Sequence, residues 1–266
     1  MSAPAITPAG VTERTVQVNG QPCRIWEKGH GAPLGYLAGL GGMPQWTPVL
    51  ERLAAHRHVI VPSLPGFPGG LGHDALDSHL DWLLAARDLL NAAGLPEGDL
   101  VGVSVGGAIA ADVAALWPHK VRKLALIGPY GLFDPAAPVG DVFATPPGGM
   151  AKLVCADPIR FEALIEPPEG ADVVEWEIAQ VRAMEAAARI LWPLGNTGLA
   201  RRLGRILAPT LLLWGEADRL LPPSYAQRFA EGIGAKAQVR LLPGAGHLAD
   251  LDAPDAVAEA LLGFLD

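Results

Sequence analysis

The sequence predicts an α/β fold: a mostly parallel, eight-stranded sheet with helices on both faces and a helical segment inserted after the sixth strand. Three observations carry that expectation. Short β-rich runs alternate with helical patterns along most of the chain. The alternation breaks between Pro129 and about Leu207, where proline and glycine cluster and helical patterns follow one another. It then resumes and continues to Leu265.

The elements follow in order. Thr12–Val18 and Gln21–Glu27 flank Asn19-Gly20, a tight-turn dipeptide, so the chain opens with a hairpin. Leu34–Ala38 is the third strand, followed by a glycine loop and a helix near Gln45–Ala54; His58–Pro62 is the fourth strand. Ala75–Ala93 has apolar positions at helical spacing and stops at Gly94. The apolar run ending at Val103 is the fifth strand, Gly106–Trp117 the next helix and Val121–Ile127 the sixth strand. Beyond it come the proline- and glycine-rich Pro138–Gly149 and helical patterns at Ala151–Ala156, Pro158–Ile165 and Asp172–Leu191. Connections in compact domains run to about 4–6 residues, so this stretch is an insertion rather than a loop. The expected organisation is a core of residues 1–128 and 208–266 with a helical cap of residues 129–207, in which Pro138–Gly149 is a mobile gate. Strand Thr210–Trp214, helix Pro223–Gly232, strand Gln238–Leu242 and helix Ala253–Leu265 complete the core.

At 266 residues with 50% hydrophobic content the chain can bury a large core. A net charge of -8 with interspersed signs and no basic run argues against nucleic acid and anionic lipid as partners. No run approaches the roughly 18 apolar residues of a membrane span. Met1–Gly10 has neither the charged nor the apolar region of a signal peptide and reads as a frayed arm. Cys23 and Cys155 lie far apart with nothing to pair them, so a reducing, cytoplasmic location is expected. No histidine and carboxylate cluster has usable metal-ligand spacing, and no cofactor is implied. Oligomeric state is not fixed by the sequence.

The chemistry centres on Gly102-Val103-Ser104-Val105-Gly106, with a strand before it and a small-residue helix after it. In a chain of 32 glycines such a pentapeptide arises by chance, but serine occurs only at Ser2, Ser63, Ser78, Ser104 and Ser224. A strand, sharp turn and helix around one serine form a nucleophile elbow. So tight a turn strains the serine backbone, and a side chain two residues before or after it would collide with its surroundings. The first helical turn then offers free N–H groups to a developing oxyanion.

A serine nucleophile needs a base, and the base an orienting carboxylate. His247 follows the last strand in Pro243-Gly244-Ala245-Gly246-His247, whereas His30, His56, His58, His73, His79 and His119 do not. Asp218 follows the seventh strand in Gly215-Glu216-Ala217-Asp218; its competitors are Glu216, Asp250 and Asp252. Asp250 and Asp252 stand so close behind His247 that they are expected to face solvent or cap the terminal helix. Ser104, Asp218 and His247 leave the sheet at one edge, where open α/β sheets build their sites. The expected oxyanion donors are the N–H groups of Val105 and of Leu40, the latter in the loop Ala38–Gly42.

With these motifs in order, the chain resembles the α/β-hydrolase superfamily, in its lid-bearing serine esterase and C–C hydrolase branch. The likeness runs from Val11 to Leu265 and rests on Gly39-Leu40-Gly41-Gly42, Pro65-Gly66-Phe67, Gly102–Gly107, Gly215–Asp218 and Gly244–His247. It implies the catalytic set Ser104, Asp218 and His247. Departures are informative. Ala38 stands where the family usually has histidine, removing a side chain that braces the oxyanion loop. Ser63 stands where aspartate is common. Ser104 excludes the aspartate nucleophile of haloalkane dehalogenases and epoxide hydrolases. Leu248 follows the histidine where aromatic meta-cleavage hydrolases typically carry tryptophan.

The insertion carries Phe143, Phe161, Ile165, Trp176, Met184, Leu191 and Trp192, with Tyr130, Leu132 and Phe133 at its start. Together they suggest an apolar pocket over the serine, with Gly39, Tyr130, Phe133, Trp176, Trp192 and Leu248 as candidate substrate contacts. Arg160, Arg182, Arg189, Arg201, Arg202 and Arg205 offer partners for a substrate carboxylate, but are expected to fall on solvated helix faces. The expected activity is hydrolysis of a small apolar carboxylic ester through an acyl-serine. Cleavage of a C–C bond, a lactone or a thioester by the same residues is the enzymatic alternative, and a non-catalytic small-molecule binder the alternative outside enzymes.

Overall fold

Asn19 and Gly20 both adopt left-handed backbone angles, φ 51° and 74°, and turn strand β1 (Thr12–Val18) back onto β2 (Gln21–Lys28) with Val18 opposite Gln21. The computed structural model describes residues 7–146, 148–193 and 195–266. Residues 1–6 of the expected arm, Pro147 of the expected gate and Leu194 lie outside the described residues. The remaining strands are β3 (Pro33–Leu37), β4 (His58–Pro62), β5 (Gly98–Val103), β6 (Val121–Ile127), β7 (Thr210–Gly215) and β8 (Ala237–Leu242). They form one 8-stranded sheet in the order β1-β2-β4-β3-β5-β6-β7-β8. β2 pairs antiparallel with β4, and every pairing from β4 to β8 is parallel. The fold is therefore the α/β sheet that the alternation predicts. β3 to β7 read as nearly continuous apolar runs because both faces of the sheet are covered.

Covering the sheet are α1 (Pro48–Ala54), α2 (His79–Ala92), α3 (Ser104–Leu116), α7 (Ser224–Ile233), α8 (Ala249–Asp252) and α9 (Pro254–Leu265). Between β6 and β7 the chain forms α4 (Met150–Val154), α5 (Pro158–Ile165) and α6 (Val173–Leu191), close to the three patterns read from the sequence. Helix boundaries shift for local reasons. α2 starts at His79, because Ser78 and Asp81 close a reciprocal capping box there. The expected terminal helix Ala253–Leu265 is found as α9, opened by Pro254, and is preceded by the short helix α8, which was not expected from the sequence. The expected helix near Gln45 begins at Pro48, leaving Gln45 free to bind elsewhere. Among the described residues no helix is long and apolar enough to cross a membrane.

The segment between β6 and β7 is tied to the loops that leave the carboxyl ends of the strands. Gln45 Nε2 donates to the carbonyls of Ala163, Leu164 and Glu166 at the end of α5. The Leu248 N–H donates to the Val154 carbonyl at the end of α4, at 2.8 Å. Trp176 Nε1 donates to the Ile165 carbonyl at 2.6 Å and joins α6 to α5. These hydrogen bonds, with Val154, Phe161, Ala183, Ala186, Ala187, Ile190 and Leu191 buried in the common hydrophobic core, join the three helices to the rest of the fold.

The opposite end of β5 is clamped by charge. Asp99 is buried and accepts from Arg122 Nε and Nη2, at 2.9 and 2.7 Å, and from buried Arg57. Burial acts to raise its carboxyl, but the hydrogen bonds and charges of Arg122 and Arg57 win and hold it below the usual carboxylate range. A carboxyl depressed in the folded state stabilises the fold above its unfolded value of about 4, and that contribution fades as pH falls through the native value. Asp99→Asn is expected to lower unfolding free energy by about 3 kcal/mol at pH 7, since it leaves Arg57 buried without its counter-charge. Urea unfolding at pH 7 and pH 3 checks this: the gap between wild type and variant should shrink at the lower pH.

Candidate active site

Ser104 is the last link between β5 and α3, and it makes the turn alone. Its φ is 52°; among the described residues Asn19 is the only other non-glycine with a positive φ. Such a conformation costs on the order of 1–3 kcal/mol and persists where the surroundings impose it. They do so here. A Cβ on Gly102 would lie 2.7 Å from the Ala110 Cβ, and one on Gly106 would overlap the carbonyl oxygens of Ala38 and Leu37. The steric argument from sequence thus holds at both glycines. The helix begins at Ser104 itself, two residues before the expected start.

The structure brings Ser104, His247 and Asp218 into one hydrogen-bonded chain. Asp218 lies in the loop after β7, where its Oδ1 accepts the N–H groups of Leu220 and Leu221 at 2.9 and 2.8 Å. That leaves Oδ2 for His247 Nδ1, at 2.9 Å. His247 Nε2 in turn sits 2.8 Å from Ser104 Oγ. A carboxylate only accepts, so Nδ1 carries the donating proton and Nε2 is left to accept from the serine. Tyr130 packs edge-on against the imidazole with ring centroids 5.7 Å apart, and its N–H donates to the Ser104 carbonyl at 3.1 Å. Its hydroxyl is buried without a partner; burial, and then the charge of Asp218, push its pKa well up.

Val105 is the second residue of α3, so its N–H has no acceptor within the helix. Leu40 lies in the loop after β3, and among the described residues its N–H has no hydrogen-bond acceptor. Gly39 brings that loop against the serine: a Cβ there would lie 3.3 Å from Ser104 Cβ and 3.2 Å from Leu248 Cδ2. The brace that Ala38 cannot supply comes from elsewhere. Gly42 N–H closes onto the Gly39 carbonyl at 2.9 Å, and buried Arg24 donates through Nη2 to the Met43 carbonyl at 2.6 Å.

Of the candidate substrate contacts, Gly39 and Leu248 line a small cavity together with Leu40, Phe161 and Ile165; Ser104 and His247 are not part of its lining. Three aromatic expectations need correction. Trp192 is 73% exposed in a surface cleft beside Leu76 and His79. Phe133 is 40% exposed near Arg228, and the Trp176 indole is engaged at the α5–α6 junction. Apolar type marks these residues, but only the path of the chain decides which way irregular segments face. A second correction concerns the acids behind His247. Asp252 accepts the N–H groups of Gly246 and Ala156, each at 2.7 Å, instead of capping α9. Asp250 is buried and accepts from the Tyr36 hydroxyl at 2.7 Å. Neither it nor Thr47, which also lines the cavity, carries a sequence signal of that role. Ser104 is 0% and His247 1% exposed, so the chain of three is closed off from solvent. Among the described residues no group of three or more histidine, cysteine, aspartate or glutamate side chains is placed to hold a metal ion.

Sheet order, elbow geometry and the position of the serine define the α/β-hydrolase architecture. The model of the alpha/beta hydrolase family matches residues 30–260, and the chain belongs to that family. It is 32% identical to the pimeloyl-[acyl-carrier protein] methyl ester esterase of Xanthomonas campestris pv. campestris, over 89% of this chain and 96% of that protein. It is 26% identical to the 2-hydroxymuconate semialdehyde hydrolase of Pseudomonas sp. strain CF600, over 100% and 97%. The crystal structure of a bacterial membrane phospholipase A superposes with a TM-score of 0.77 at 26% identity, covering 97% of this chain and 86% of that one.

The contact at Gly106 is directly testable. Gly106→Ala drives a methyl group into two backbone carbonyls that cannot swing away, and is expected to destabilise the fold by about 1–3 kcal/mol while displacing the Ala38–Leu40 loop. A thermal melt no lower than wild type would contradict it.

Proposed function

We propose that this protein is a serine hydrolase of carboxylic esters with an apolar acyl or aromatic group, acting through an acyl-enzyme. The observation that carries the reading is the continuous hydrogen-bonded chain from Asp218 through His247 to Ser104. Ser104 Oγ attacks the ester carbonyl as His247 Nε2 takes its proton. Asp218, immobilised by the Leu220 and Leu221 N–H groups, holds the imidazole in its tautomer and stabilises the imidazolium. The N–H groups of Val105 and Leu40 receive the oxyanion. The imidazolium then protonates the leaving alcohol, and a water activated by the same base releases the acid. No cofactor enters this cycle.

Residues 129–207 serve in this reading as a cap on a core of residues 1–128 and 208–266. Because Ser104 is fully buried, substrate enters by loosening the ties at Gln45 and Leu248. Closure then excludes water and strengthens each electrostatic contact. Two unpaired, buried cysteines suit a reducing, cytoplasmic setting. The likeness to the methyl ester esterase supports ester cleavage. Full-length likeness to the semialdehyde hydrolase supports a second reading, C–C bond cleavage by the same residues. Leu248, in place of the tryptophan typical of aromatic meta-cleavage hydrolases, favours the ester.

The test is turnover of p-nitrophenyl esters of graded chain length by wild type and Ser104→Ala, with intact mass after a fluorophosphonate probe. Wild type should hydrolyse the esters and gain one adduct. The variant should lose more than about a thousandfold in kcat/KM and gain no adduct. An adduct without ester turnover would move the reading to C–C, lactone or thioester cleavage, separated by assaying ring-cleavage products. Folded protein with neither adduct nor turnover would make it a non-catalytic small-molecule binder.

A further inference from the structure

Outside the chain of Ser104, His247 and Asp218, one residue touches both the nucleophile and its base. β6 ends at Ile127, and the Gly128 N–H closes onto the Leu213 carbonyl of β7 at 3.0 Å. Gly128 and Gly131 have positive φ, 49° and 126°, so the chain turns sharply on either side of Pro129-Tyr130. The turn lays Gly128 along the imidazole, where an added Cβ would lie 3.3 Å from His247 Nδ1 and 3.4 Å from Cε1. It sets Pro129 against Gly107 of α3, whose added Cβ would come within 2.9 Å of the proline Cβ. Tyr130 then donates its N–H to the Ser104 carbonyl at 3.1 Å and packs its ring at 65° to the imidazole, with centroids 5.7 Å apart. The ring also meets Gly195, where a Cβ would lie 2.7 Å from Tyr130 Cδ1.

We propose that Tyr130 is a positioning residue that holds the His247 imidazole in line with Ser104 Oγ, through its ring rather than its hydroxyl. This rests on the serine-hydrolase reading and adds a residue to its machinery. Two hydrogen bonds fix the imidazole, one from Nδ1 to Asp218 and one between Nε2 and Ser104. The second is lost as Oγ bonds to the acyl carbon, and only Asp218 then holds the base by a hydrogen bond. The imidazolium must still present Nε2 to the leaving oxygen, and afterwards to a water, without swinging away from the reacting carbon. A ring packed against the imidazole restricts that swing and leaves Nε2 free. Because the same residue also fixes the Ser104 carbonyl, nucleophile and base are registered against one short segment.

The contacts distinguish this role from the substrate contact expected from the sequence. Tyr130 is 2% exposed, and its ring is packed on His247 and Gly195. Its hydroxyl makes no hydrogen bond, so the orientation of the imidazole owes nothing to it and a phenyl ring would serve as well. A non-aromatic side chain would not: leucine or methionine refills much of the space without a flat wall. A displacement of about 1 Å at a reacting group costs on the order of a hundredfold in rate. Acylation and deacylation use one imidazole, so both slow together, and kcat falls while KM stays.

Turnover of a p-nitrophenyl ester and the rate of fluorophosphonate labelling, measured for Tyr130→Leu, Tyr130→Met and Tyr130→Phe, test this. Tyr130→Leu should lose about tenfold to a hundredfold in kcat and in labelling rate, with KM within about threefold of wild type. Tyr130→Phe should recover most of that loss. If Tyr130→Leu fails to fold, Tyr130→Met decides. Proton NMR supplies a readout free of turnover. The His247 Nδ1–H held by Asp218 should give a far-downfield signal in wild type and in Tyr130→Phe, broadened or lost in the non-aromatic variants. Wild-type kcat in Tyr130→Leu, a loss that Tyr130→Phe does not recover, or an unchanged proton signal in the non-aromatic variants would overturn the proposal. So would a raised KM at unchanged kcat, which would make Tyr130 a substrate contact. If wild type neither cleaves the ester nor takes the probe, the serine-hydrolase reading falls, and the proton signal alone decides whether Tyr130 positions the imidazole.

Discussion

The left-handed backbone of Ser104 is the constraint on which the rest of the site depends. One residue must end β5, start α3 and point its hydroxyl out of the sheet, and that requires bare backbone on either side. Gly106 lies in direct contact with the Ala38 and Leu37 carbonyls, so the same turn fixes where the loop after β3 can run. That loop in turn brings Gly39 against the serine and forms one wall of the cavity. The helix behind it is buried along almost its whole length, and its alanines and glycines allow close approach to the strands. Strain at one residue is thus held by steric contacts contributed from three separate elements.

Burying so polar a constellation obliges the surroundings to satisfy it. Asp218 has one oxygen saturated by two backbone N–H groups, which leaves a single direction for the imidazole. Arg24, layered over Trp26 at 3.6 Å, takes over the bracing of the glycine loop from below. Asp252 fastens Gly246 and Ala156 together, tying the chain before His247 to the end of α4. The segment between β6 and β7 is joined to the core by hydrogen bonds and by Val154, Ala183, Ala186, Ala187, Ile190 and Leu191, which are buried in the same hydrophobic cluster as the sheet.

How much could be read beforehand follows from the range of the forces involved. Strand and helix alternation, the Asn19-Gly20 turn, the insertion and the need for Gly102 and Gly106 are consequences of local sterics and side-chain periodicity, which a sequence writes directly. The chain order of Ser104, Asp218 and His247 after successive strands follows from the same reading, because parallel strands deliver their carboxyl ends to one edge. The sequence by itself therefore determined the fold class and the residues that converge. Only the tertiary structure decided that Asp250 turns inward to Tyr36, 214 positions away, that Asp252 fastens α4, and that Trp192 and Phe133 face outward. It also placed Thr47 in the cavity wall. Those outcomes depend on packing between residues far apart in the chain, and no local pattern of residue types encodes which of two neighbouring acids is taken into the interior.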